Sequence, residues 1–502
     1  MPGTIPHEDC VNSGDTAWLL TSSAFVLSMI FGLSFFESGM LPRKMALNII
    51  VQITVGMMVV LLLFQLFEFS LIFGEDHGGV IGDFSYVLFI GLQNVCLRDH
   101  APHIPALSFA SFQYMFASIA PLLITGTVAG RMRLSRVLLF VAFWSLFVYT
   151  PVAHWIWGNG WLEQNGVLDF AGGLVLHATA GTSSLVIAWA IGKRHDWDVH
   201  KGEAEPHNIV LASIGCAFLF FGWYGFNAGS ALAANTVASS AAINTTNGAL
   251  VSALVWVIIG VVRSSLSDKH IRATVLVPDI LNGFLAGLAG ITPASGYVAV
   301  YYSLPIGVLL GLASYAGVHI VAHFEIDDAL DVSSIHGLTG VLGSFCIGIF
   351  ADTSINPNGG DGLITGKGHL FAWQCIAIVV TIAWSALMTS VFCFVLPRLF
   401  FWDWRMGHEP HRRFLRSRIE HEKAGLDKIY GHGSAYNHQK TTQEHEPAHK
   451  YPFNDYSAHS RYDQMTSSSE DEVITNEYLS INVAPPNEQT PIVQSKVEKS
   501  NQ

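Results

Sequence analysis

The sequence predicts an all-α membrane protein with eleven transmembrane helices, in which two five-helix halves form an inverted repeat and an eleventh helix follows. Hydrophobic residues make up 51% of the 502 residues and charged residues 13%, and the mean hydropathy is +0.40. These values are typical of a protein that crosses the bilayer several times and differ from those of soluble enzymes of this length. Two further observations, the succession of long apolar stretches and the basic residues between them, give the number and direction of the helices.

Eleven apolar stretches are long enough to cross a hydrocarbon core about 30 Å thick. We expect Ala249–Val262, the shortest of them, to take additional residues from the loop before it. The predicted spans are approximately Ala17–Phe36, Ala46–Phe73, Phe109–Ala129, Val137–Ile156, Phe170–Ile191, Ile209–Gly229, Ala249–Val262, Thr274–Thr292, Val298–Val321, Ser333–Ala351 and Leu370–Leu396.

Basic residues determine the predicted orientation, because short cytoplasmic loops are rich in lysine and arginine. The loops on one side of the membrane carry Arg43, Lys44, Arg131, Arg133, Arg136, Lys193, Arg194, Lys201, Arg263, Lys269 and Arg272. The loops on the other side carry only Arg98 and Lys367. We therefore place the N-terminus outside and the C-terminus in the cytoplasm. The predicted inner loop at 325–331 is acidic, but acidic residues contribute little to this rule.

Composition divides the chain into four regions: an extracellular N-terminus (1–16), the eleven-helix domain (17–397), a cytoplasmic regulatory segment (398–439) and an acidic, serine-rich tail (440–502). The tail carries five Lys and Arg against ten Asp and Glu and is too hydrophilic to fold alone, so we expect disorder. Its segment TSSSEDEV, at 466–473, looks like an acidic site for a kinase, although serine runs in such tails usually serve solubility. A net charge of −12 argues against nucleic acid as a partner.

The six cysteines do not form a disulfide framework or a C-x-x-C metal motif. Cys10 and Cys96 both fall in segments that we place outside, and a disulfide between them is a hypothesis. The other four lie in apolar spans, where small core side chains are expected; they are Cys216, Cys346, Cys375 and Cys393.

The predicted fifth span carries a single imidazole among small residues. In the segment 169–194, DFAGGLVLHATAGTSSLVIAWAIGKR, His177 lies roughly 12 Å along a helix that begins near Asp169, well inside the bilayer. A titratable group at that depth almost always faces a bundle interior or a water-filled path. The glycine, alanine and serine residues around it allow neighbouring helices to approach. His177 is therefore a candidate functional residue.

The tenth span repeats this pattern with SSIHGLTGVLG, which places His336 among small residues after Asp331. Five spans separate the two histidines, and this odd offset predicts that the two halves are inserted in opposite orientations. Inverted repeats of this kind place a substrate path near the membrane midplane, at their interface.

Two buried histidines leave several kinds of chemistry open. Two ligands without a third make a poor zinc site, and Ser183 and Ser184 near His177 lack the strand-turn-helix elbow of a hydrolase. We therefore predict neither an enzyme nor a metal or other cofactor. Each histidine could instead simply pack and bond a neighbouring carbonyl. A pair of neutral imidazoles, however, can share a proton and accept one from a passing molecule.

Three aromatic groups lie at the predicted outer level. HWIWG carries Trp155 and Trp157, GWYGFNAGS carries Phe226 and Ser230, and FQYMF ends at Phe116. An interfacial aromatic belt or ordinary helix core explains each group taken singly. Together, an indole face and a hydroxyl acceptor suit a small cation that carries N–H donors.

At these residues the chain resembles the ammonium transporter (Amt/Mep) family. The segments that carry the resemblance appear in family order: DFAGGLVLH, GWYGFNAGS, ITPASGY (291–297), DVSSIHGLTGVLG (331–343) and the cytoplasmic GLDKIYGHGSAYN (425–437). The resemblance covers about 16–437. It implies an eleven-helix bundle that assembles as a homotrimer in the plasma membrane, with one ammonium pore in each subunit.

Residue by residue, the resemblance implies that Trp157 and Ser230 form the external ammonium site. It makes Phe116 and Phe226 a stacked gate and His177 and His336 a twin-histidine pair. It also gives Asp169 a supporting role at the external site, whereas its position at a helix start predicts a simple N-terminal cap. Both roles can hold together.

The chain departs from the family pattern in two places. FFESGMLPRK (35–44) replaces a Gly-Gly pair of many bacterial members; we expect it to touch no assigned pore residue but to affect trimer packing. The motif between Asp427 and His432 is one residue longer than in familiar members.

The resemblance leaves two rival functions open. A sensor would signal through the tail, and a neutral gas channel would resemble the related Rhesus proteins. The sequon at Asn244 lies close to the membrane, and we do not expect it to be glycosylated.

Overall fold

The computed structural model describes residues 3–194, 197, 206–267, 276–366 and 368–399. All of them belong to one unit, Met1–Glu444. The tail beyond residue 399, with its predicted regulatory segment and kinase site, lies outside the described residues, as do Lys201, Lys269, Arg272 and Lys367.

Long apolar helices dominate the described part of the chain, which establishes the helical membrane class. Ten of them are long and apolar enough to cross a membrane, and one further apolar helix, Val277–Ile291, is shorter. In chain order the helices are α1 Ser13–Met40, α2 Arg43–Phe73, α3 Ala106–Val128, α4 Leu134–Gln164, α5 Gly173–Ile191, α6 Ile209–Ala228, α7 Thr236–Leu266, α8 Val277–Ile291, α9 Val300–His323, α10 Ser333–Phe350 and α11 His369–Arg398.

The expectation that Ala249–Val262 takes additional residues from the loop before it is confirmed. Helix α7 begins at Thr236 and is among the longest, because the polar stretch before Ala249 is also helical. Asn244 there donates hydrogen bonds to the carbonyls of Ser295 and Val298, at 2.8 and 3.0 Å, so the sequon asparagine has no access to solvent. The short helix is α8, which begins at Val277 just before a proline and not near Thr274.

A small antiparallel sheet covers one end of the bundle. Its strands are β1 Thr4–Pro6, β2 Val95–Leu97 and β3 Ala101–Pro105, in the order β1-β2-β3. A disulfide joins Cys10 to Cys96, with the two Cα atoms 6.4 Å apart. Strand β3 runs directly into α3 at Ala106, so the sheet fixes the start of that helix.

Glycines bring α5 and α10 into close contact. A Cβ atom on Gly337 would lie 2.9 Å from the Cα of Gly181, and a Cβ on Gly340 would lie 2.6 Å from the carbonyl oxygen of Gly173 and 2.8 Å from the Cβ of His177. Any larger side chain would separate the helices. Both helices also begin with a π-helical turn, Gly173–Ala178 and Ser333–Leu338, and each turn contains the histidine.

The acidic loop before α10 is neutralised by the basic residues of neighbouring loops. Asp327 is buried and pairs with Arg131 and Arg194, at 3.4 and 2.9 Å. Glu325 pairs with Lys193 at 2.6 Å. The loop at 325–331 is an exception to the rule that cytoplasmic loops are basic. It is thus part of an ion-pair cluster that connects α3, α5 and α10.

Candidate functional site

The two histidines meet at the centre of the bundle. The Nδ1 atoms of His177 and His336 are 3.2 Å apart, and their ring centroids are 5.2 Å apart with nearly parallel planes. Because both atoms are ring nitrogens, one must carry the proton and the other accept it. The ring of His177 also stacks on Trp223 at 5.7 Å, and the indole of Trp223 donates to the hydroxyl of Thr292 at 2.9 Å. The pair is therefore held rigidly by its neighbours.

A narrow cavity of about 30 Å³ contains this pair. Its other lining residues are mostly aliphatic and aromatic and include Phe226, Leu219 and Ile335. Glu37 lines the same cavity, which corrects our expectation that the FFESGMLPRK segment touches no pore residue. The side chain reaches the cavity because α1 packs against α6 and α3, whose residues form two of its walls.

Two phenyl rings separate this inner cavity from a second one. Phe116 and Phe226 are stacked with centroids 4.0 Å apart and an angle of 9° between their planes. Phe226 lines the inner cavity and Phe116 lines the outer one. His177 follows directly, with its ring centroid 6.2 Å from that of Phe226. Both phenyl rings are buried.

The outer cavity is wider and more polar. It measures about 170 Å³ and brings together Trp157, Ser230 and Phe116. Gln113 of the FQYMF motif also lines it, together with three polar residues from outside the motifs: Asp99, His100 and Glu163. The cavity therefore combines an indole, a hydroxyl and two carboxyl groups, which can attract a cation.

Hydrogen bonds fix Trp157 and Ser230 within this cavity. The indole N–H of Trp157 donates to the backbone carbonyl of Asp169 at 2.7 Å, and its ring meets Phe116 edge to face at 5.9 Å. The hydroxyl of Ser230 donates to the carbonyl of Phe226 at 2.8 Å. Since its single hydrogen is used, the serine oxygen presents lone pairs and can accept from an N–H donor.

Asp169 is a buried cap at the start of α5. Its carboxylate accepts hydrogen bonds from the backbone N–H groups of Gly172, Gly173, Leu174 and Val175, at 2.7–3.1 Å. Burial raises the pKa of the Asp169 carboxyl to about 6, although these four donors act in the opposite direction. Because these hydrogen bonds fix Asp169, its backbone carbonyl is also held in place to accept the hydrogen bond from the indole of Trp157.

Helix α10, like α5, is preceded by a buried aspartate that caps it, Asp328. Asp328 accepts from the N–H of Ser333 at 2.7 Å and from the hydroxyl of Thr127 at 2.7 Å. Asp331, which the sequence analysis compared with Asp169, lies in the left-handed region with φ 56°. Asp328 precedes His336 by eight residues, as Asp169 precedes His177, so the two histidine helices share both the π-helical turn and the spacing of the capping acid.

His100 and Glu37 are site residues that our sequence reasoning did not assign. His100 stacks on Phe109 at 6.3 Å and hydrogen-bonds the backbone of Phe73 and Trp157. Burial lowers the pKa of the His100 imidazole to about 4, so the ring is neutral. Glu37 could have been found from its charge at the end of the first predicted span, since ionisable residues in membrane helices are functional candidates by default. Nothing in the sequence pointed to His100.

Among the described residues, no group of three or more His, Cys, Asp and Glu side chains is arranged to hold a metal ion. The polar groups of the two cavities can form hydrogen bonds and exchange protons.

Comparison with known proteins assigns the chain to a family. The Ammonium Transporter Family matches residues 17–412. The chain is 45% identical to Ammonium transporter 1 of Dictyostelium discoideum over 390 residues, which is 76% of this chain and 82% of that protein. It is 39% identical to Ammonium transporter Amt1 of Archaeoglobus fulgidus over 381 residues, 76% of this chain and 92% of that protein.

Solved structures agree with the sequence comparison. The crystal structure of Saccharomyces cerevisiae Mep2 is similar with a TM-score of 0.73 and 30% identity, covering 82% of this chain and 95% of that one. A structure described as a sensor Amt protein gives a TM-score of 0.70 and 27% identity, covering 82% and 97%. The resemblance found in the sequence is confirmed: this chain, a multi-pass membrane protein and not an enzyme, belongs to the ammonium transporter family.

Proposed function

We propose that ammonium binds in the outer cavity, loses a proton at the two phenyl rings and crosses the inner cavity as ammonia past His177 and His336. One observation carries this proposal: the stacked pair Phe116 and Phe226 separates a polar cavity from an apolar one that holds two imidazoles. A bare cation is expensive to transfer into apolar surroundings, whereas neutral ammonia is not.

Selectivity against potassium follows from hydrogen bonding. Potassium is also attracted to an indole face, so Trp157 alone cannot discriminate. Ammonium can donate an N–H to the serine oxygen of Ser230 and can give up a proton, and potassium can do neither. In this scheme Asp169 supports the site through the carbonyl that holds Trp157.

The proposal includes the full eleven-helix count, with an extracellular N-terminus and a cytoplasmic C-terminus. Helix α8 has 15 residues and is the shortest of the eleven, but it is enclosed by α7, α9 and α10. The inverted repeat is supported by the histidine-bearing π-helical turns of α5 and α10. We further propose a homotrimer in the plasma membrane, which cross-linking of the membrane-embedded protein would test.

Methylammonium uptake tests the proposed function. A yeast strain that lacks its own transporters is given the wild type, His177→Ala or Trp157→Ala. We expect uptake with the wild type, almost none with His177→Ala and a weaker apparent affinity with Trp157→Ala. A wild type without uptake, or a His177→Ala variant with normal uptake, would refute the proposal.

Sensing is the second candidate, supported by the similarity to the structure described as a sensor Amt protein. If the tail signals or is phosphorylated, deleting everything after Gln439 should leave uptake intact and abolish an ammonium-dependent response. A Rhesus-like gas channel, the third candidate, would give uptake that follows the concentration of ammonia and not that of ammonium as the pH changes.

A further inference from the structure

Glu37 is a third titratable group in the cavity of the two histidines. Its side chain is buried and lines the cavity together with His177 and His336, and the remaining lining residues are not titratable near neutral pH. The proposed path past the histidines makes no use of it. A buried carboxyl inside a membrane helix is costly, and such residues mark ion or proton pathways.

The carboxyl group is held in place by α3. The hydroxyl of Thr125 donates to Oε2 of Glu37 at 3.0 Å. Gly126 lies so close that a Cβ atom there would be 2.9 Å from Oε1. Both oxygens are therefore oriented by neighbours from another helix, and the side chain is fixed at the edge of the cavity.

Glu37 lies towards the far end of the path from the outer cavity. It is close to the last residue of α1, which begins at Ser13 beside the outer sheet. His177 is next to Phe226, and His336 follows it. The cavity of about 30 Å³ can hold a water-sized molecule, since roughly 10–15 Å³ of such space is enough for one water. A small molecule in this cavity would lie among groups that include both imidazoles and the carboxyl of Glu37.

We propose that Glu37 receives the proton that the two imidazoles carry inward and delivers it to ammonia. This inference rests on the proposed function, because it requires that a proton is removed at the phenyl rings. It adds a residue to the path and predicts that transport moves one net charge.

The proton transfers balance. At the two phenyl rings, ammonium gives a proton to the imidazole pair on the inner side, so an N–H bond breaks and ammonia and an imidazolium form. The imidazolium then protonates the Glu37 carboxylate, and the imidazole pair returns to its neutral form. Finally the Glu37 O–H bond breaks, the lone pair of ammonia takes the proton, and ammonium leaves while the carboxylate is restored.

Glu68 provides a matched control. It is also a buried glutamate within a membrane helix, α2, and its Oε2 also accepts from a hydroxyl, that of Ser145 at 2.9 Å. It lies in neither of the two cavities. Replacement by glutamine removes a buried carboxyl at both positions, but only Glu37 is on the proposed proton path.

The test measures charge and flux in the same proteoliposomes. Current after an ammonium pulse and uptake of radiolabelled methylammonium are recorded for the wild type, Glu37→Gln and Glu68→Gln. Because proton-transferring side chains contribute about 100-fold or more to rate, we expect Glu37→Gln to lower the ratio of charge to uptake at least about tenfold. Glu68→Gln should keep the wild-type ratio. A purely structural role of Glu37 would lower current and uptake together.

An unchanged ratio in Glu37→Gln overturns the inference, and so does wild-type uptake without current. A wild type with neither current nor uptake refutes the proposed function itself. If Glu37→Gln does not fold, Thr125→Val replaces it, because this variant keeps the carboxyl and removes its hydroxyl donor. We expect the pH profile of its ratio, measured from about pH 5 to 8, to be displaced from that of the wild type. Coincident profiles would overturn the inference.

Discussion

The two cavities on either side of the stacked phenyl rings differ in size and in polarity. The outer cavity, of about 170 Å³, contains an indole, a hydroxyl and carboxyl groups, and the inner one, of about 30 Å³, is apolar except for two imidazoles and one carboxyl. A hydrated or partly hydrated cation suits the first, and a single small neutral molecule suits the second. In the proposed mechanism, the rings are therefore the place where ammonium gives up its proton.

Removing the cap of α5 should have the largest effect, because it disorders the start of this helix beside the outer cavity. Asp169→Ala leaves four backbone N–H groups without their acceptor, and each buried orphan costs about 1–3 kcal/mol. We expect loss of folded protein and of uptake, measured by thermal stability and by methylammonium transport. Asp15→Ala is the control, because its carboxylate accepts only one exposed N–H, that of Ala234. A stable, active Asp169→Ala variant would contradict the assigned role.

Removing one of the two phenyl rings between the cavities should have the second-largest effect. Phe226→Ala joins the two spaces and costs about 3–5 kcal/mol as a buried large-to-small change. We expect the variant to leak potassium, because a continuous wet path would no longer require deprotonation. Potassium flux into proteoliposomes measures this. Phe112→Ala, which removes a ring of the outer cavity beside Phe116 but not part of the stack, should remain selective.

Separating the two histidine helices should perturb the inner cavity alone. Gly181→Ala pushes a methyl group against the backbone of Gly337, and such overpacking costs about 1–3 kcal/mol. The imidazoles would move apart, and we expect slower uptake with unchanged binding in the outer cavity, seen as a lower maximal rate at constant half-saturation. Gly360→Ala, where the nearest atom would lie 3.6 Å from the new Cβ, is the control. A changed half-saturation would argue that the cavities are not independent.

How much of this site the sequence predicted depends on the range of the interactions. Local spacing and side-chain chemistry singled out both histidines and the outer aromatic groups, and the resemblance to the ammonium transporter family gave Phe116, Phe226, Trp157 and Ser230 their predicted roles. The place of Glu37 beside the histidines was missed because it depends on how α1 packs against α3 and α6.

The fold shows the same limit. Apolar length predicted most spans and indicated that α7 begins before Ala249, but it did not give the start at Thr236, because the polar residue Asn244 in this stretch is paired with a loop far along the chain. The sequence analysis did not single out the acid that caps α10, because Asp328 reaches Ser333 through the shape of the loop. Pairings across the fold decided each of these cases.

The smallest effect concerns the mouth of the outer cavity and its pH dependence. His100 has a pKa lowered to about 4 by burial, against an ordinary value of 6.5, so the folded state binds its proton less readily than the unfolded state. Between these values the unfolded chain carries the additional proton, and the free energy of unfolding therefore falls as the pH falls. The stabilisation is complete above about pH 6.5 and lost towards pH 4.

We expect His100→Gln to remove this part of the acid sensitivity, a difference of roughly 2–4 °C in the loss of Tm between neutral and acidic pH. His77→Gln, at an exposed position in the neighbouring loop, should melt as the wild type does at both pH values. If the wild type and His100→Gln lose the same Tm on acidification, protonation of His100 does not destabilise the folded protein. The structure at the outer cavity would then not depend on a neutral imidazole.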